Sequence, residues 1–202
     1  MDDGEAALLE RISRGDLSGA ATLLIRRYGP EIYGFLAAQL RDETAAAEAF
    51  SSFTEDLWRG LPGFQGRSSL RVWSYTLARN AATRHVVAPH RRRDRNVPLS
   101  EAAELVDLAE RVRTETLPFL RTEAKAKLAE IRQRLSPDEC ALLVLRVDRG
   151  LDWTDVARIL FPEDVALSDG DLRTLVARLR KRFQAVKTKV RRMAKDAGLF
   201  EP

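Results

Sequence analysis

Hydrophobic residues recur at three- and four-residue spacing along most of the chain, and no stretch shows the strict alternation of a half-buried strand. Leu8, Leu9 and Ile12 mark a first short helix. Gly15-Asp16 ends it, and Asp16 is placed to cap the next one. Leu23, Leu24, Tyr28, Ile32, Phe35, Leu36 and Leu40 continue the period. Gly29-Pro30 interrupts that run, which predicts a kink or two abutting helices.

From about Thr44 to Gly60 the residues Ala46, Phe50, Phe53 and Leu57 fall on one helical stripe. Glu48, Ser51, Ser52, Glu55 and Asp56 fall on the opposite, wet face, and Thr54 lies at the edge of the stripe. A loop, Pro62–Ser68, precedes a helix from about Ser69 to Val86. Its expected buried stripe is Leu70, Trp73, Leu77 and Ala81. Arg71, Tyr75 and Arg79, at i, i+4 and i+8, are expected to face outward. Ala88-Pro89 ends this helix, and a basic run from His90 to Arg95 follows.

Residues 97–118 are acidic and weakly periodic, the pattern of an inter-domain linker. A short amphipathic helix within them would pack Leu105, Leu108, Ala109 and Val112. Residues 119–135 are expected to be helical, with Leu128, Ile131 and Leu135 apolar. Ser136-Pro137-Asp138-Glu139 then has the form of a capping box with proline at the first helical position. That helix should stop at Gly150. Asp152 caps a short helix to about Leu160, and Ser168 to Asp171 resembles a second capping box. The terminal helix carries Leu172, Leu175, Val176, Leu179, Phe183, Val186, Val190 and Met193 on one face. The expected fold is all-α, with two small helical domains, 1–96 and 119–202, joined by the linker 97–118.

Charge sharpens this picture. The net charge of +4 is spread as about +2 over residues 1–96, −6 over 97–171 and +8 over 172–202. Between Arg173 and Lys195 there is no acid at all. A solvated helix face usually mixes signs, so this segment points to a polyanion, with nucleic acid the expected one. The last three helices form a helix-turn-helix candidate, in which the second helix of the pair enters the major groove. Asp171, Arg173, Thr174, Ala177, Arg178 and Lys181 lie on the side expected to meet DNA. Between Glu55 and Arg84, Trp58, Phe64, Trp73 and Tyr75 are interleaved with five arginines beside a Pro-Gly break. That mixture suits unpaired bases and phosphates.

Several classes are excluded. No apolar run reaches bilayer-spanning length, so no membrane insertion is expected. The acidic N-terminus, MDDGEAALLERI, lacks a signal-peptide pattern. Cys140 is alone in an apolar run, which fits a small buried hydrophobe and a reducing, cytoplasmic setting. His85 and His90 have no metal-ligand spacing, and there is no Gly-rich phosphate loop. No catalytic residue, metal or cofactor is expected.

The chain resembles the extracytoplasmic-function sigma factors, the two-domain branch of the sigma-70 family. The residues that carry the resemblance are RRYGPEIYGFLAAQLRD, AEAF and LWRGLPGFQGRSSLRVWSYTLARNAATRH in the first half. In the second half they are LSPDECALLVLRVDRGLDWTDVARIL and LSDGDLRTLVARLRKRF. The resemblance implies a bacterial transcription initiation factor whose partners are core RNA polymerase and promoter DNA. It implies that Phe64, Arg67 and Ser68 cup a flipped-out base of the −10 element. Arg71, Tyr75 and Arg79 would contact the same element. Asp171, Arg173, Thr174, Arg178 and Lys181 would read the −35 element. The face of Glu48, Ser51, Ser52, Glu55 and Asp56 would meet the polymerase clamp. Trp73 and Asn80 match family positions but are expected in or beside the core. An anti-sigma factor is a further expected partner.

Two departures from the family pattern stand out. The clamp-binding helix is usually richer in acid and glutamine than the run AAEAFSS found here. Phosphorylation of Ser51, Ser52 or Thr54 by a Ser/Thr kinase would restore about −1.5 to −2 charges each. The turn of the helix-turn-helix is lengthened by Phe161–Ala166, and Leu175 stands where the family often has a basic residue. Two other functions fit the same residues: a helix-turn-helix regulator that never engages polymerase, and an interaction module that binds polymerase or an anti-sigma factor without initiating.

Overall fold

The computed structural model describes residues 3–87, 99–120, 130–131, 133–162 and 169–196. Among these residues there is no strand. The Ala88-Pro89 break, the basic run His90–Arg95, Leu128 and Ser168 lie outside them. The chain divides into two compact units, Met1–Leu120 and Arg121–Pro202.

The first unit is built on α1 (Asp3–Ser13), α2 (Leu17–Leu40), α3 (Glu43–Gly60), α4 (Leu70–Val87) and α5 (Leu99–Leu120). Local capping explains several boundaries. The Asp16 carboxylate accepts the Gly19 N–H at 2.9 Å and starts α2. That bond, with Arg11 beside it, holds the Asp16 carboxyl below the usual carboxylate range. Arg41 takes a left-handed conformation after α2, and its N–H closes on the Ala37 carbonyl. Asp42 then caps α3 through the Ala45 N–H. Gly29-Pro30 does not split α2, which is one helix with Pro30 inside it.

The centre of this unit is α2, against which α1, α3, α4 and α5 all pack. Tyr33, Phe35, Phe50, Phe53 and Tyr75 are fully buried between them. Tyr33 meets Phe50 edge-on at 5.5 Å, and Phe35 meets Tyr75 edge-on at 5.4 Å. Residues 97–118 were expected as a linker, but the helix they contribute belongs to the first unit. Its Leu105, Leu108, Ala109 and Val112 are buried, as their spacing required. A Cβ added at Gly29 would stand 2.9 Å from the Val112 side chain. The glycine is what lets α5 lie so close to α2. Glu104, Asp107, Glu110 and Glu115 of α5 are exposed, which is why the segment scans as a linker.

In the second unit, α6 (Pro137–Leu143) begins at the expected capping box. The Ser136 hydroxyl accepts the Glu139 N–H, and the Glu139 carboxylate accepts the Ser136 N–H. The same carboxylate binds Lys189 at 2.8 Å. Burial opposes its ionisation, but Lys189 and the Ser136 N–H outweigh burial and keep the group below its ordinary range. The helix widens into a π turn at Val144–Asp148 and ends before Gly150, which has φ +66°. Asp152 caps α7 (Trp153–Leu160), and α8 (Asp169–Asp196) packs on both α6 and α7. Trp153 sits edge-on to Phe183 with the Arg146 guanidinium over its ring at 5.1 Å. Cys140 is buried, as expected of a small hydrophobe.

Candidate nucleic-acid and polymerase surfaces

The first surface lies where α3 turns into α4. Leu61–Gly63 forms a single tight turn with Leu61 buried, and Pro62 and Gly63 exposed. The loop that follows carries Gln65, Gly66 and Arg67 on the outside. Gly66 has φ +67°, a conformation that side-chain-bearing residues adopt only with strain. Phe64 is half-buried and leans on Trp73, ring centres 5.2 Å apart and planes inclined at 57°. Trp73 in turn fills the space over Gly60, where a Cβ would lie 3.0 Å from its ring. Ser68 is half-buried, and its hydroxyl donates weakly to the Ser69 carbonyl. Of the expected −10 residues, Phe64, Arg67 and Ser68 are therefore together on one loop.

The other three are not presented as expected. Tyr75 has no exposed surface and packs on Phe35 of α2. Arg71 makes a two-pronged ion pair with Glu31 of α2, Nε to Oε1 at 2.8 Å and Nη2 to Oε2 at 2.7 Å. Glu31 raises the affinity of that guanidinium for its proton, so the charge is fixed. Arg79 is half-buried, with its Nη1 enclosed. The edge of α4 carrying Arg71 and Tyr75 is turned towards α2.

The cause is that α4 packs against both α2 and α3. Its buried set is Leu70, Val72, Ser74, Tyr75, Ala78, Ala81 and Ala82, which surrounds more of the helix than one stripe. Trp73 and Leu77, expected in the core, are only half-buried. Trp73 was thus missed as a member of the loop surface. The signal available was Gly60, thirteen residues earlier, which leaves room for an indole beside the loop.

The second surface is the polar side of α3. Glu48 and Ser51 are exposed, while Ser52, Glu55 and Asp56 are half-buried. Asp56 is ion-paired to Arg84 of α4, and the Glu48 carboxylate lies 3.8 Å from Nδ1 of His85. These five residues do share a face, but part of its charge is already engaged by α4. Thr54 is not on it. Its side chain is buried and donates to the Phe50 carbonyl at 3.0 Å, so, contrary to expectation, it is out of a kinase's reach. The Ser51 hydroxyl donates to the Ala47 carbonyl at 3.1 Å and remains at the surface.

The third surface is the first half of α8. Asp171, Arg173, Thr174, Ala177, Arg178 and Lys181 are all exposed. Leu179, Phe183, Val186 and Met193 are buried on the other side. Leu172, Leu175, Val176 and Val190 are half-buried. Here the expected orientation holds because, among the described residues, the apolar face of α8 packs on α6 and α7 while its charged face stays exposed. Arg180 is also exposed and lies 5.9 Å from the centre of the Trp153 ring. Among the described residues no cluster of three or more His, Cys, Asp or Glu is placed to hold a metal ion. None of their helices is long and apolar enough to cross a membrane.

Comparison with known proteins places these surfaces in context. The family model for sigma-70 region 2 matches residues 24–94, which span α2 from Leu24 onward, then α3, the loop and α4. The RNA polymerase sigma-H factor of Pseudomonas aeruginosa is 30% identical over 156 residues, 76% of this chain and 80% of that protein. The RNA polymerase sigma factor YlaC of Bacillus subtilis is 30% identical over 139 residues, 68% of this chain and 77% of that protein. The ECF RNA polymerase sigma factor BldN of Streptomyces coelicolor is 26% identical over 200 residues, 97% of this chain and 69% of that protein.

Proposed function

Because the chain belongs to the extracytoplasmic-function group of the sigma-70 family of transcription initiation factors, we propose that it directs core RNA polymerase to promoters by opening a −10 element and reading a −35 element. The family is non-enzymatic, since the chemistry of transcription belongs to the polymerase. What carries the −10 assignment is the exposed loop with Arg67 at its tip and the tilted Phe64–Trp73 pair at its base. An unpaired base can stack on the aromatic pair while the guanidinium meets phosphate. Tyr75 and Arg71 take no part, since both are committed to α2. The −35 assignment rests on the exposed, acid-poor face of α8, with α7 and α8 as the helix-turn-helix pair.

The test is run-off transcription with purified core polymerase, together with permanganate reactivity of the −10 strand. Arg67→Ala should reduce open complexes and make the salt dependence of opening shallower by about 0.7 in log–log slope. Its stability should stay within about 0.5 kcal/mol, because the side chain is exposed. Opening that is indifferent to Arg67 at low and moderate salt would remove the loop from the mechanism.

A finer part of the proposal concerns α3. Ser51 is exposed beside Glu48, Ser52 and Glu55, where the family usually has more negative charge. Phosphorylation of Ser51 or Ser52 by a Ser/Thr kinase would raise the negative charge of the clamp-binding face. Ser51→Asp should tighten polymerase binding by about 0.5–1 kcal/mol, the scale of an exposed charge pair. Affinity equal to the wild type in both Ser51→Asp and Ser52→Asp would rule the switch out.

A further inference from the structure

The first residue of α4 is held from the far end of the unit. The Leu70 N–H donates to Oε1 of Glu5 on α1 at 2.7 Å, across 65 positions of sequence. Helix starts leave several N–H groups without intrahelical partners. Ser69 supplies the local cap: its hydroxyl accepts the Val72 N–H at 3.2 Å, and its carbonyl accepts the Trp73 N–H at 3.0 Å. The Leu70 N–H falls to Glu5. The next residue, Arg71, is gripped by Glu31 of α2. Two consecutive residues at the start of α4 are thus tied to two different helices.

The loop just before them is held by the Phe64 N–H on the Leu61 carbonyl at 3.2 Å, the Phe64 ring on Trp73 and the weak Ser68 hydroxyl bond. Those ring and Leu61 contacts hold its first end, while its second end runs through Ser69 into Leu70, the residue that Glu5 holds. Helix α1 lies outside the segment matched by the region 2 family model, residues 24–94.

We propose that Glu5 is a positioning residue for promoter opening, which fixes the base-capturing loop by accepting the Leu70 N–H. This rests on the initiation function proposed above, and the test is designed to separate the two. Glu5→Ala and Glu5→Gln remove the same charge, but only glutamine retains a side-chain oxygen that can accept the bond. Removing a carboxylate beside a DNA-binding loop would by charge alone favour DNA in both variants. Positioning through the hydrogen bond predicts that they diverge.

Both variants are assembled with core polymerase, and three quantities are measured: polymerase affinity, permanganate reactivity of the −10 strand, and far-UV circular dichroism of the free chain. Wild-type activity in the same assay establishes the initiation function independently. Glu5→Ala should lower opening by roughly five- to tenfold, the effect of leaving a part-buried donor unsatisfied. Glu5→Gln should stay within about twofold of wild type, and polymerase affinity should be unchanged in both. Equal loss, equal gain or no change in the two variants overturns the proposal, and equal gain would identify Glu5 as a mask over the DNA site. Loss of polymerase affinity or helical signal alongside opening in Glu5→Ala would make Glu5 a general structural residue and overturn it as well.

Discussion

Tyr75→Ala is expected to destabilise the first unit by about 3–5 kcal/mol, the range for truncating a buried aromatic. The ring has no exposed surface and sits edge-on to Phe35, so alanine leaves a cavity between α2 and α4. Small domains are stable by about 5–15 kcal/mol, so this loss consumes much of the margin. Urea unfolding should show the midpoint fall, and initiation should fail because the loop surface loses its scaffold. Tyr75→Phe keeps the ring and should cost no more than about 1.5 kcal/mol. An outward Tyr75 that touched only DNA would behave differently. Its alanine variant would keep wild-type stability within about 0.5 kcal/mol and lose opening alone. That outcome would contradict the packing of α4 described above.

The second large effect is expected on α8. Arg173, Arg178 and Lys181 are exposed on the face away from its buried stripe. Replacing all three by glutamine should make the salt dependence of binding to −35 duplex shallower by about 2–3 in log–log slope, close to one counterion per lost phosphate contact. Affinity at moderate salt should fall roughly a hundredfold. Thermal stability should barely move, since none of the three is packed in the core. Binding measured with assembled polymerase over a salt series checks both quantities. A slope equal to that of the wild type would show that this face does not meet DNA.

The helices α4 and α8 carry similar polar patterns but meet different surroundings. In α8 the helical period alone gives the right orientation, because its apolar residues pack on α6 and α7 and its charges mark the exposed face. In α4 the same period points part of the helix the wrong way. An arginine, a tyrosine and an arginine at four-residue spacing have the pattern of a wet face when only polarity is considered. In the folded unit that edge meets α2, where Glu31 neutralises Arg71 and Phe35 receives the Tyr75 ring. Long polar side chains are legitimate interface residues when a partner of matching charge or shape stands opposite. The sequence of α4 contains no mark of Glu31, which lies 40 positions away.

The acidic segment before Leu120 illustrates the same limit from the other side. Its apolar stripe was visible, and Leu105, Leu108, Ala109 and Val112 are indeed buried. What made it appear a linker was the absence of any known surface for that stripe to cover. The surface is on α2 at Gly29, whose missing Cβ admits Val112. Pro30 beside it suggested a break in α2 instead. Thr54, placed at the stripe edge by periodicity, falls inside the core because its hydroxyl is satisfied by the Phe50 carbonyl one turn back.

Sequence by itself determined what depends on neighbours along the chain. The capping residues Asp16, Ser136 and Asp152 fixed helix starts, because a cap bonds to groups two or three residues away. The stop at Gly150 and the one-sided polarity of α8 were legible for the same reason. Tertiary structure alone decided which side of α4 meets water, that α5 belongs to the first unit, and that a glutamate near the N-terminus holds the start of α4. Each of those outcomes turns on a partner from a distant part of the chain. Burial and charge pairing are properties of two surfaces meeting, and one helix carries only half of each.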